Sequence, residues 1–282
     1  MKGWYCRNFL WWHVHEPDAE ELVAGPVVED RLEQGRQVGE LARESIPDGV
    51  LIDLPHNAYR DRIAATRAQL EAGAPAIFEA SFSADDVFVA VDILEREGSA
   101  HHVIEVKSST RVKAEHLPDV AIQTHVVGAS GVEVGRSEVM HLNPAYRHPG
   151  RGPLFVREDV TRQVLELLPG VPEQIAAQKS VLGGEFPDIP LGVQCASVSN
   201  CSFRGRCWPD EEDHILTLYG KGLRKALELM EEGIQTIHDL PDDMQFGAVA
   251  ERQRRAVEGQ SLVVDPDPLP QAAKQPHQIV TQ

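Results

Sequence analysis

The stretch from Val87 to Ser109 limits the folds open to this chain more than any other. Residues 87–94 are rich in Val, Ile and Phe, and a second apolar run follows the charged segment 95–100. Two such runs around a short polar turn predict a β-hairpin. We therefore expect two adjacent antiparallel strands at the centre of the fold.

Three ionisable side chains fall on this hairpin. Side chains alternate between the two faces of a strand, so Glu105 and Lys107 point one way while Ile104 and Val106 point the other. If Asp92 projects from the first strand to the face of Glu105, two carboxylates and one ammonium group meet at one point.

Such a cluster favours a particular chemistry. Two adjacent carboxylates repel each other unless a cation lies between them, and oxygen ligands suit Mg²⁺ or Mn²⁺. A lysine beside such a metal can orient a water molecule, help to deprotonate it, or offset charge on a phosphate. The hairpin is thus consistent with phosphodiester hydrolysis, and a solvated edge with a surface ion pair is the alternative it leaves open.

The pattern of Asp92 followed by Glu105-x-Lys107 resembles the PD-(D/E)xK nucleases, and the residues around it resemble the RecB-type branch of that family. The resemblance implies an α/β, restriction-endonuclease-like (RecB-type) core, with a central mixed sheet flanked by helices and a small C-terminal helical appendage. It also implies that Asp92 and Glu105, with the carbonyl of Val106, hold Mg²⁺ or Mn²⁺, and that Lys107 positions the attacking water.

The first metal ligand departs from the family pattern. Apolar residues on one face of 29–43 predict a helix, and in RecB-like nucleases this helix carries a metal-binding His. Gly39 stands at that position here. The neighbouring Glu40, and Glu79 in the predicted strand 76–82, are the candidate replacements, while a solvent-facing role is the alternative for Glu40.

The helix predicted for 116–128 carries a second partial match. Gln123 matches the first residue of the family's Gln-x-x-x-Tyr signature, but Val127 stands in place of the tyrosine. The resemblance implies that Gln123 orders the lysine or a DNA phosphate. A surface glutamine is the alternative.

Further periodic segments predict other elements. A strand is expected at 138–143, and helices are expected at 59–72, 158–168 and 171–182. Two basic segments are candidate DNA contacts, the loop that follows the hairpin and a glycine turn within residues 219–240 that resembles a helix–hairpin–helix element. The candidates are Ser109, Arg111 and Lys113 in the loop and Lys221, Arg224 and Lys225 in the helical element.

The cysteines form the second strong pattern. Cys195, Cys201 and Cys207 are equally spaced, and with Cys6 they account for all 4 cysteines. Four thiolates with no nearby His suit a [4Fe–4S] cluster as well as zinc or better, although a buried thiol remains an alternative for Cys6. The arrangement of one Cys before the nuclease domain and three after it resembles that of the iron–sulfur RecB-like nucleases. These include CRISPR-associated exonucleases and AddB-type nucleases. The resemblance implies a cluster that ties the two chain ends together beside the active site.

Charge and targeting signals limit the partners. The formal net charge is −17, with 44 acidic against 27 basic residues, which argues against a broad grip on duplex DNA but not against a local basic groove. The sequence shows neither a signal peptide nor a membrane-spanning run. We expect a cytoplasmic protein with no membrane partner, in which cysteines bind a metal or cluster rather than form disulfides.

The expected organisation is a nuclease domain over 1–210, a helical appendage over 211–259 and a disordered tail over 260–282, which is rich in Pro, Gln and Asp. The expected function, by resemblance, is that of a metal-dependent exonuclease acting on single-stranded DNA or DNA ends, in repair or phage-defence processing. A protein partner is left open. So are two alternatives, a non-catalytic iron–sulfur DNA-binding subunit and a redox-sensing scaffold.

Overall fold

The computed structural model describes residues 2–150, 152–198, 201–220 and 222–259. Lys221 and the predicted tail 260–282 lie outside them. The described residues divide into two compact units: residues 2–189 and 201–203 belong to the first, and residues 190–198 and 204–259 to the second. The predicted hairpin lies in the first unit.

A six-stranded mixed sheet forms the centre of the first unit. Its strands follow chain order across the sheet; β1 is parallel to β2 and β4 to β5, and the other neighbours are antiparallel. The strands are β1 (Gly49–Leu51), β2 (Ala76–Ala84), β3 (Val87–Glu97), β4 (Ala100–Lys107), β5 (Val134–Leu142) and β6 (Phe155–Asp159). The expected α/β class with a mixed central sheet is confirmed.

Tight turns connect the three central strands. Asp85 and Asp86 join β2 to β3 with φ of 53° and 60°, the left-handed backbone that two-residue hairpin loops require. Gly98 begins the turn from β3 to β4 with φ 65°, which glycine adopts without steric cost. The hairpin predicted from the sequence is therefore present, but its strands extend further into the charged segment 95–100 than expected.

Helices cover both faces of the sheet. On one face, α5 packs Val120 and Val126 against a core that includes Val91 and Val103. On the other face, Ala42 of α3 lies in a second core with strand residues such as Ile104. The helices of the first unit are α1 (Lys2–Tyr5), α2 (Arg7–His15), α3 (Pro26–Glu44), α4 (Tyr59–Ala72), α5 (Leu117–Ala129), α6 (Thr161–Leu167) and α7 (Val171–Gly183).

Two outer strands differ from the sequence interpretation. The helix predicted for 158–168 is wrong at its start, because Glu158 and Asp159 belong to β6 and the helix begins at Thr161. Backbone pairing with β5, from Leu142↔Phe155 to Glu138↔Asp159, holds this polar edge strand extended. The short strand β1 was also not predicted. Its Gly49 packs so closely under Phe78 that an added Cβ would lie 2.2 Å from the ring.

The second unit is small and helical. It contains α8 (Arg204–Cys207), α9 (Gly222–Glu231) and α10 (Ala248–Glu258). Its core includes Leu229 of α9. Ile215 and Ile237 also belong to this core and come from single-turn helices that precede and follow α9 in the chain. Across the described residues of both units, no helix is long and apolar enough to span a membrane.

Candidate active site

The two central strands separate at the predicted acidic cluster. Pairing between β3 and β4 runs from the turn as far as Ile93↔Ile104. Beyond that pair, β3 continues beside β2 while β4 continues beside β5, as far as Lys107↔His141. We call the resulting opening, formed by Asp92, Glu105, Val106 and Lys107, the fork.

Asp92 bridges the fork with its side chain. Its Oδ2 accepts a hydrogen bond from the backbone N–H of Val106 at 2.7 Å. The Asp92 carboxylate therefore satisfies a backbone donor that lies beyond the last β3–β4 pair. Burial raises the pKa of Asp92 to about 6, although the Val106 N–H and the positive charge of Lys107 act in the opposite direction. Asp92 is therefore a carboxylate whose charge is poorly solvated, a state that a cation would relieve.

Glu105 is the most deeply buried acid of the fork, with 6% of its surface exposed. Burial, and then the negative charge of Asp92, raises the pKa of Glu105 well above its ordinary value. Gln123 donates from Nε2 to Glu105 Oε2 at 2.7 Å, so Gln123 is a buried residue and not the surface glutamine considered as an alternative. It orders the glutamate rather than the lysine.

Lys107 lies between two carboxylates. Its Nζ donates to Glu105 Oε1 and, at 2.9 Å, to Asp119 Oδ2. Burial alone would lower the pKa of Lys107, but the charges of Glu105 and Asp119 outweigh this effect and raise the pKa above its ordinary value. We therefore assign Lys107 as a charged ammonium held between Glu105 and Asp119. A lysine in this state acts through its charge rather than as a base.

A cleft opens beside the fork, between α3 and the sheet. Its volume is about 530 Å³, and it brings together four of the predicted metal ligands, Glu40, Glu79, Asp92 and Val106. Other polar and charged residues that line it are Arg36, Arg43, Asp53, His56 and Arg62. Acidic and basic side chains thus share a single concave surface.

Glu79 reaches this cleft through an unusual backbone conformation. Its φ is 58°, and the β2–β3 register passes from Phe78↔Ile93 to Ala80↔Val91 without a pair at Glu79. Arg62, buried in α4, donates to the Glu79 carbonyl and to Glu79 Oε2, each at 3.3 Å. A non-glycine residue with left-handed backbone is strained, and the surrounding structure must stabilise it. The hydrogen bonds from Arg62 stabilise Glu79 in this conformation.

Glu40 lines the cleft from helix α3. It lies on α3 next to Gly39, and both residues line the cleft. Glu40 is exposed, which agrees with the solvent-facing alternative as well as with a position at the mouth of the site. The two candidate replacements for the family's His therefore share one cavity but approach it from different elements.

The donor set of the fork fits a hard divalent cation. Asp92 and Glu105 contribute carboxylates whose pKa values are raised by burial. Within the described residues, no three His, Cys, Asp or Glu side chains are gathered so as to hold a metal ion. Mg²⁺ is commonly bound by one or two carboxylates, with water and substrate phosphate in its other positions. Asp92 and Glu105 would therefore hold such an ion together with water.

The four cysteines are distributed over both units. Cys6 and Cys201 belong to the first unit, and Cys195 and Cys207 to the second. Cys6 caps α2, where its Sγ accepts a hydrogen bond from the Phe9 N–H at 3.4 Å. The Phe9 ring lies 5.3 Å from that of Phe203, two residues beyond Cys201. Within the first unit, the helix that Cys6 begins therefore packs on the segment that contains Cys201.

Within the described residues, the candidate DNA contacts lie in two places. Ser109 and Arg111 belong to the loop that leaves the fork, where Ser109 Oγ donates to the Arg111 carbonyl at 2.8 Å. Lys113, on the same loop, pairs with Glu115 at 3.4 Å. Arg224 and Lys225 lie on α9 of the second unit, and Lys221 lies outside the described residues. The loop after β4 therefore supplies the candidate contacts that follow directly from the fork.

Three polar residues of the site were not found from the sequence. Asp119 stands in the first turn of α5, where an acidic residue is common for reasons of helix capping and dipole alone. Arg62 sits among other charged residues of α4, and His56 in a short loop. None of the three has a local pattern that indicates its place, because tertiary packing alone brings them to the fork and its cleft.

No protein-family model matches the sequence, and no curated protein matches it. The function is therefore inferred from the fork and the cleft.

Proposed function

We propose that this chain is a metal-dependent deoxyribonuclease with a RecB-like, PD-(D/E)xK core. The observation that carries the proposal is the fork: Asp92 from β3 and Glu105 from β4 meet beside Lys107 at the point where the two strands part. Two desolvated carboxylates and an ammonium group at the edge of a cleft can bind a divalent cation and offset the charge of a phosphodiester during its hydrolysis.

Each residue of the fork has a distinct role in this proposal. Asp92 and Glu105, with the Val106 carbonyl, would hold the divalent cation. When bound, the cation supplies Lewis-acid chemistry, offsetting charge on the phosphodiester and acidifying a water molecule. Lys107 keeps a positive charge close to the phosphate and orients the attacking water. Gln123 fixes the rotamer of Glu105 through the 2.7 Å hydrogen bond to Oε2.

The cleft supports a nucleic-acid substrate. Its volume of about 530 Å³ falls within the range of about 300–1,000 Å³ that is common for ligand sites. Arg36 and Arg43 line it from α3 and offer local positive charge in a chain whose net charge is −17. A cleft with two arginines on one side and acidic residues on the other, in an acidic protein, favours one strand or a DNA end over a broad duplex surface. We therefore propose single-stranded DNA or DNA ends as the substrate.

We further propose that Cys6, Cys195, Cys201 and Cys207 bind a [4Fe–4S] cluster. The proposal is supported by the equal spacing of the last three cysteines and by the packing of the Cys6 helix on the segment of Cys201. Hydrolysis transfers no electron, so the cluster would act on the fold and not on the reaction. A role in DNA repair or phage defence, in the cytoplasm, is part of the same proposal.

Incubation of anaerobically purified protein with end-labelled DNA tests the function. Single- and double-stranded substrates are compared in Mn²⁺ and in EDTA, with Asp92→Asn as the inactive variant and Lys179→Ala as a control that removes an exposed lysine paired with Asp86. We expect Mn²⁺-dependent shortening of single strands by the wild type and by Lys179→Ala, and none by Asp92→Asn.

The outcomes separate the alternatives. DNA that the wild type binds but does not cut would replace the nuclease with a non-catalytic DNA-binding subunit. Protein that neither binds nor cuts DNA, yet carries a redox-active cluster, would favour the sensing scaffold. Equal cutting by Asp92→Asn would remove the fork from the reaction.

A further inference from the structure

Helix α5 and strand β4 are joined by two polar contacts in matching register. Asp119 and Gln123 are four residues apart, about 6 Å along a helix, and Glu105 and Lys107 are two residues apart, about 6.6 Å along a strand. The two spacings agree, so Asp119 meets Lys107 at 2.9 Å while Gln123 meets Glu105 at 2.7 Å. The Lys107–Glu105 contact links the two pairs into a chain of four side chains.

We propose that Asp119 is a positioning residue that holds Lys107 in place when Glu105 turns to the divalent cation. The inference rests on the proposed nuclease function. It assigns to Asp119 a role in the reaction that does not require it to touch the DNA, the cation or the attacking water.

The hydrogen bonds of Glu105 explain why Lys107 needs Asp119 as a second partner. Oε2 of Glu105 is engaged by Gln123, and Oε1 is engaged by Lys107. A cation bound at Oε1 would share that oxygen with the Lys107 ammonium, and its positive charge would weaken the Lys107–Glu105 contact. Asp119 is the second carboxylate already in contact with Lys107.

Without a second anchor, Lys107 would not stay at the fork. Its ammonium ends a flexible four-carbon chain and is strongly hydrated, and a cation on Glu105 would repel it. The side chains of Lys107 and Asp119 are each 25% exposed, so their pairing is partly shielded from water. Asp119 therefore keeps the positive charge next to the cation site instead of letting it move out to solvent.

Steady-state kinetics separate this role from a purely structural one. Asp119→Asn should lower kcat in Mn²⁺ by up to about 100-fold, as misplacement of a catalytic group does. KM for DNA and the Mn²⁺ affinity should stay within about 3-fold, because Asp119 contacts neither. Asp119→Glu should recover part of kcat. A wild-type kcat in Asp119→Asn, or a loss confined to KM, would overturn the proposal, as would Asp119→Glu no more active than Asp119→Asn.

Asp85→Asn is the matched control. Asp85 contacts His125 of the same helix at 3.0 Å, so the control removes a carboxylate charge from a polar contact with α5 that lies away from the fork. We expect wild-type kcat in this variant. A loss equal to that of Asp119→Asn would show a general effect on α5 and would overturn the positioning role.

A double-mutant cycle of Asp119→Asn and Lys107→Met, followed by urea unfolding, tests the contact without activity. We expect a coupling of about 3-fold or more in the unfolding equilibrium constant. Coupling with no cleavage by the wild type would overturn the nuclease and leave the Asp119–Lys107 contact standing. Cleavage by the wild type with no coupling would overturn the Asp119 proposal alone.

Discussion

Asp92→Asn should stabilise the folded chain at neutral pH although it removes a residue of the fork. Burial raises the pKa of Asp92 from 3.8 to about 6. A shift of about 2 pKa units corresponds to about 3 kcal/mol between the protonated and ionised forms. Because Asp92 is partly exposed and water screens some of its charge, we expect about 2 kcal/mol of this to be recovered in the variant.

The direction of the effect depends on pH. A raised pKa means that the folded chain binds the proton more tightly than the unfolded chain, so the ionised carboxylate opposes folding. The penalty is absent below the unfolded pKa of 3.8 and is complete above about 6. The wild type should therefore lose stability relative to Asp92→Asn as the pH rises through this window, and the two should be nearly equal below it.

Urea unfolding measured by tryptophan fluorescence is the assay. Trp4, Trp11 and Trp12 lie in the first unit and Trp208 in the second, so the signal reports mainly on the unit that contains the fork. The curves are recorded below pH 4 and near pH 8, in EDTA. Equal stability of the two proteins near pH 8, or a difference that does not change with pH, would refute a destabilising anion at position 92.

Three further predictions concern the surroundings of the fork and the cysteines. Arg62→Met should lower the free energy of unfolding by about 3 kcal/mol, because it removes a buried arginine and leaves the Glu79 carboxylate without its partner. A loss under about 1 kcal/mol in urea unfolding would contradict this. If Glu79 or Glu40 replaces the family's His, changing that residue to Gln should weaken Mn²⁺ binding in calorimetry by on the order of a kcal/mol or more, and unchanged binding in both would leave only two side-chain ligands. Anaerobically purified protein should be brown with about four irons per chain, and Cys6→Ser should lose colour and solubility together; a colourless, soluble, zinc-containing wild type would overturn the cluster.

The hairpin and the alternation along β4 could be predicted because they depend on local patterns. Val, Ile and Phe favour strands, and period-two alternation decides which side chains share a face. The contact between Glu105 and Lys107, and the packing of Ile104 in the core behind them, agree with that expectation. The central part of the site therefore follows from the order of residues in one hairpin.

The rest of the site depends on packing that no local pattern encodes. Glutamate rarely adopts positive φ, so nothing at Glu79 indicates the break that opens the β2–β3 register. Asp119 has the features of an ordinary helix residue, and only the docking of α5 against β4 brings it to Lys107. The end of the edge strand β6, Glu158 and Asp159, is likewise set by pairing with β5, which overrides the helix predicted to begin at residue 158.

Single-turnover cleavage of end-labelled single-stranded DNA in Mn²⁺ tests the role of the fork most directly, when Lys107→Met is compared with Lys179→Met. Both variants lose one lysine that is paired with a carboxylate, but only Lys107 belongs to the fork. We predict that Lys107→Met reduces the rate by about 100-fold or more while keeping the fold, and that Lys179→Met cuts at the wild-type rate. A wild-type rate in Lys107→Met would contradict hydrolysis at the fork.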